Sequence, residues 1–65
     1  MAIKCFHVTR VRTGDTFTEN GNPEELIGHT VSVAMDHPAY GVVTLHMADG
    51  SCVQVDRRFV VEVER

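Results

Sequence analysis

Four side chains of zinc-binding type sit in two pairs: Cys5 with His7, and His46 with Cys52. Cys5 and His7 are two residues apart, so on a strand they share a face. His46 and Cys52 flank Ala48-Asp49-Gly50, and a hairpin there makes them cross-strand partners. If the first strand lies beside that hairpin, two thiolates and two imidazoles converge in a tetrahedral set suited to zinc. Familiar structural zinc sites instead use Cys-x-x-Cys or His-x3-His pairs on tight turns, and neither occurs here. Outward histidines and cysteines are ordinary in a small protein, so the expectation is a chain without metal or other cofactor.

Asp36-His37-Pro38-Ala39-Tyr40 offers a carboxylate, an imidazole and a phenol on one loop. Loops held by strands are where binding groups usually sit. Catalysis would need a pocket, and a chain this short has little interior for one. A plain role is open to each residue: Asp36 accepting a turn hydrogen bond, Pro38 stiffening the loop, Tyr40 covering the core edge. Asp36, His37 and Tyr40, together with Arg57 and Arg58, are the candidate partner contacts.

Arg10, Arg12, Arg57 and Arg58 would form a cationic patch if the first strand and the Arg57-Arg58 corner were adjacent. Small barrels bind RNA or DNA with such surfaces and stacking aromatics. Phe6, Phe17 and Phe59 are needed for the core, which leaves Tyr40 as the platform. Asp15, Glu19, Glu24 and Glu25 concentrate acid in the first loop, either to dock on a basic protein groove or as a solvated connector. No nucleophile elbow, phosphate loop or paired-carboxylate site occurs, and Ser32 and Ser51 have no evident base partner.

These groups need a scaffold, and hydrophobic periodicity supplies strands. Ile3 to Val11 reads as the first, with Phe6 and Val8 toward the core. Asn22-Pro23-Glu24-Glu25-Leu26-Ile27-Gly28 reads as one short helical turn, capped by Asn22, started by Pro23 and stopped by Gly28. From His29 to Met35, alternation puts Val31, Val33 and Met35 on one face. Val42 to Met47 and Ser51 to Asp56 form a hairpin. A two-residue Asp-Gly loop would mix core and solvent faces. A three-residue loop, Ala48-Asp49-Gly50, pairs Leu45 with Val53 and Val43 with Val55. Arg57-Arg58 turns a tight corner, and Phe59, Val61 and Val63 face the core from a last strand.

From Gly28 onward this order resembles SH3-like small barrels: Gly28-x-x-Val31-x-Val33, then Gly41-Val42-Val43, an Asp49-Gly50 hairpin and a corner before a closing strand. The resemblance implies a fold and no function. The segment Val53-Gln54-Val55-Asp56 is similar to the pore segment Val-Gln-Ile-Tyr of the plasmid-borne type II dihydrofolate reductases, SH3-like barrels that assemble around a shared active pore. Asp56 stands where that segment has tyrosine, and the tryptophan-containing stretch of those enzymes is absent.

The chain has 65 residues, enough for one domain spanning 1–65, and a formal charge of −3. A domain of this size buries only about 60% of its unfolded surface, so its stability is modest. Its hydrophobic content of 43% and charged content of 23% are those of an ordinary folded domain. The scattered basic residues and acidic balance disfavour a duplex-binding surface. No signal-like or membrane-spanning run appears. The expected setting is cytoplasmic, away from membranes, with Cys5 and Cys52 as reduced thiols, a Cys5–Cys52 disulfide being the minor reading for an exported chain. The fold expected is all-β: a small SH3-like barrel, or a strongly twisted antiparallel sheet of about five strands with one short helical turn. The function expected is non-enzymatic, a binding or regulatory protein acting through protein contacts. A nucleic-acid-binding barrel is the alternative, and an oligomeric enzyme with a shared pore a further one. Exposed strand edges favour a homodimer.

Overall fold

Alternation carries the first strand only to His7. The computed structural model describes residues 2–65, and in it β1 spans Ile3–His7. The chain then turns through a 3-10 segment, Val8–Arg10, closed by Val11 N–H donating to the Val8 carbonyl at 3.2 Å. Val8 and Val11 are both buried. Residues three apart eclipse in a 3-10 turn but point to opposite faces of a strand. The turn therefore buries both valines, which a strand continued to Val11 would not.

Five further strands follow: β2 Thr16–Phe17, β3 Val31–His37, β4 Val42–Met47, β5 Cys52–Asp56 and β6 Val60–Glu64. They form two antiparallel three-stranded sheets, β1-β6-β2 and β3-β4-β5, which do not close into one another. A bridge between Thr16 and Thr30 links the sheets, flanked by Val31 N–H to Asp15 O at 2.9 Å and Phe17 N–H to His29 O at 3.0 Å. The core lies between them: Val8, Phe17, Leu26, Val31, Val43, Leu45, Val61 and Val63 are essentially inaccessible. Phe6 and Phe59 pack against it partly buried.

The hairpin has the expected register, with Val43 opposite Val55, Leu45 opposite Val53 and His46 opposite Cys52. Gly50, at φ +92°, supplies the positive dihedral that the three-residue loop requires. The last strand also alternates as read, with Val61 and Val63 inward and Val60 exposed.

Two further expectations are corrected. In β3 the register shifts between Val31 and Val33, so Ser32 is an extra residue in a β-bulge. Thr13 Oγ1 donates to the carbonyl of Ser32 at 2.7 Å, which fixes the bulge from another part of the chain. Parity reverses after a bulge. Val31 stays buried, Ala34 turns inward, and Val33 and Met35 end up 49% and 46% exposed. The second correction concerns residues 22–28. They turn without forming a continuous helix, through Leu26 N–H to Pro23 O at 2.9 Å and His29 N–H to Leu26 O at 3.0 Å. Asn22 does not cap this turn. Its side-chain amide donates to the carbonyls of Thr18 and Glu62, both at 2.8 Å, and its oxygen accepts from Glu62 N–H. Asn22 thus ties the loop to β6, while buried Leu26 plugs the core.

Candidate functional site

Proline and glycine shape the loop after β3. Pro38 opens a 3-10 turn, Pro38–Tyr40, and Gly41 ends it at φ +71° with its N–H donating to the Pro38 carbonyl. The Gly41 carbonyl accepts from Arg57 N–H at 2.9 Å, which binds the loop to the corner after β5. Arg57 then reaches Asp36 with both arms of its guanidinium, Nε to Oδ1 at 2.7 Å and Nη2 to Oδ2 at 2.9 Å. Such fork-to-fork pairs are directional as well as attractive. Hydrogen bonding by Arg57 holds the Asp36 carboxyl below its ordinary value of 3.8, against a smaller opposing effect of burial. Arg58 similarly engages its neighbour Asp56 and lowers that carboxyl.

On this braced loop Tyr40 is 83% exposed. It does not cover the core edge, because the 3-10 turn carries its ring outward. Cavities lie on both sides of it. One, about 390 Å3, is lined by Pro38, Tyr40, Val42, Asp56, Arg57 and Arg58. The other, about 420 Å3, is lined by His37, Tyr40, Val42 and Gln54. Of the candidate contacts, Tyr40, Arg57 and Arg58 share a cavity, Asp36 holds Arg57 from below, and His37 meets Tyr40 in the second.

The second cavity opens on the outer face of β3-β4-β5. The strand register lays nine residues there in three rows: Val33, His46 and Cys52; Met35, Thr44 and Gln54; His37, Val42 and Asp56. Asp56 is the one acidic side chain among them, at the Tyr40 end and offset by Arg58. The bulge creates this face, because without it Val33 and Met35 would point inward. Thr44 is covered by its neighbours and receives a long contact from Gln54 Nε2 at 3.5 Å.

The zinc arrangement does not form. His46 and Cys52 are cross-strand partners, but Cys5 and His7 belong to the other sheet. Among the described residues no three His, Cys, Asp or Glu side chains gather as a metal would require, and both cysteines are free and exposed. The four-arginine patch is also divided. Arg57 and Arg58 are paired with aspartates, whereas Arg10 and Arg12 line a different cavity, with Arg65.

Asp15 is the residue that sequence reasoning misplaced. It belongs not to a solvated acidic loop but to the interior, 2% exposed and paired with Arg65, Nε to Oδ1 at 2.9 Å. Its other oxygen accepts from Arg12 N–H at 2.9 Å and Arg65 Nη2 at 3.3 Å. The partner lies fifty positions away. The local sequence offers only the turn-forming composition Thr13-Gly14-Asp15-Thr16 as a sign that this acid is fixed in place.

No known protein family matches the chain, and neither characterised proteins nor solved structures gave a significant match.

Proposed function

We propose that this protein is a non-enzymatic binding or regulatory module acting through contacts with another protein, engaged by Tyr40 and the adjoining outer face of β3-β4-β5. The observation that carries the reading is an almost fully exposed tyrosine on a loop that proline, glycine and a bidentate ion pair all hold in place. Tyrosine is favoured at protein interfaces because its rigid ring contributes apolar area and a polar tip. A loop fixed before binding forfeits little entropy on binding. The neighbouring face adds Val33, Met35 and Val42 around polar His46 and Gln54, a composition suited to a buried interface centre.

A protein partner is favoured over nucleic acid at this end because Asp36 and Asp56 offset the two arginines that would meet phosphates. The meander β3-β4-β5, the three-residue hairpin and the return of β6 to β1 support an SH3-like reading of the architecture, a class whose members serve as binding scaffolds for many functions.

The test is co-purification from source cells after nuclease treatment, comparing the natural chain with Tyr40→Ala and Met35→Lys. Both side chains are exposed, so folding is retained. Each change is expected to lower the recovered partner by about tenfold or more, as loss of an interface anchor does. Equal recovery with both variants would refute the assignment of this surface.

A further inference from the structure

A cavity of about 550 Å3 lies where the end of β1 meets the turn after it, lined by Phe6, Thr9, Arg10, Val11, Arg12 and Arg65. Its charge is one-sided. Arg10 and Arg12 are exposed, and neither guanidinium has an acidic partner among the described residues. Arg65 directs Nε and Nη2 at Asp15 and Nη2 also at the Arg10 carbonyl, so Nη1 has no acceptor among the described residues. Asp15 is enclosed, with both oxygens already accepting. Three guanidiniums against one carboxylate give +2 here, and with a total of −3 the remaining side chains carry −5.

The cluster is also fixed. Asp15 accepts from Arg12 N–H and donates its own N–H to the Arg12 carbonyl at 3.1 Å. Arg65 holds the Arg10 carbonyl at 3.3 Å and stacks over the Phe6 ring, 4.8 Å from its centre. The backbones that carry the two unpaired arginines are therefore set by the ion pair beneath them.

We propose that this groove binds a compact phosphorylated ligand, the size of a mononucleotide or sugar phosphate, with its phosphate held by Arg10, Arg12 and the free Nη1 of Arg65. Arginine forks match phosphate oxygens in pairs. The volume falls in the range of small-ligand sites, roughly 300 to 1,000 Å3. A nucleic-acid strand fits less well, because its affinity comes from a long series of phosphate contacts. Here one spot is cationic and the surface around it repels a polyanion.

The test is titration of the isotopically labelled full chain with inorganic pyrophosphate and with adenosine monophosphate at low salt, followed by NMR. Saturable shifts are expected at the amides of Phe6 and residues 9–13. Arg10→Gln and Arg12→Gln are each expected to weaken binding about tenfold while leaving the rest of the spectrum in place. Absence of saturable shifts there, or unchanged affinity in both variants, would overturn the proposal. So would binding of a single-stranded oligonucleotide when neither small probe binds, since the groove would then belong to nucleic acid.

Discussion

Arg57 reaches back 21 positions to hold Asp36, and this pair connects the loop chemistry to the stability of the fold. The Asp36 carboxyl is lowered mainly by the Arg57 hydrogen bonds, so the folded value lies beneath the unfolded one. Such a group stabilises fully above its unfolded value, and the contribution fades as pH falls through the folded value. Asp49 and Asp56 are lowered too, chiefly by hydrogen bonds from Ser51 and Arg58. Denaturant midpoints should therefore hold steady near neutrality and fall below about pH 4. Asp36→Asn should lower the neutral-pH midpoint and make the acid decline shallower. An acid decline as steep as that of the natural chain would show that the pair contributes nothing. At this scale the sequence indicated which loop carries polar groups. It did not indicate that Asp36 would meet Arg57 or that Asp15 would meet Arg65, because each pairing depends on how distant strands align.

Hairpin β4-β5 was legible because its two strands are adjacent in sequence and their inward residues must oppose each other. Of the two-residue and three-residue loops, only the three-residue one satisfied that rule, and the structure has its register. The bulge in β3 was not legible. Alternation through Val31, Val33 and Met35 is uninterrupted in sequence, and the bulge that breaks it at Ser32 is held by a hydrogen bond from Thr13, nineteen positions earlier in the chain. The same gap hid the end of β1, where burying Val8 and Val11 together required a turn. The bulge makes a sharp prediction about two neighbouring valines. Val31→Ala removes a fully buried side chain and should cost about 2 kcal/mol. Val33→Ala removes a half-exposed one and should cost less than about 0.5 kcal/mol. Chemical denaturation of both variants checks this, and equal losses would mean that β3 runs without the bulge.

Across the whole molecule the two sheets separate two kinds of surface. One is the outer face of β3-β4-β5, ending at Tyr40, where the single acid, Asp56, is offset by Arg58. The other is the arginine cluster at the turn after β1, in a chain that is otherwise acidic. An all-β fold could be read from strand periodicity alone. The distribution of charge could not, since it depends on which arginines find aspartates: among the described residues Arg57, Arg58 and Arg65 do, whereas Arg10 and Arg12 do not. The most direct measurement is site-specific photo-crosslinking in source cells, with a benzophenone amino acid introduced in place of Tyr40 and, separately, of Glu24. A discrete protein adduct from position 40, absent from position 24 and lost when Met35→Lys is added, is the predicted result. No protein adduct from position 40, or the same adducts from both positions, would contradict a partner surface centred on Tyr40.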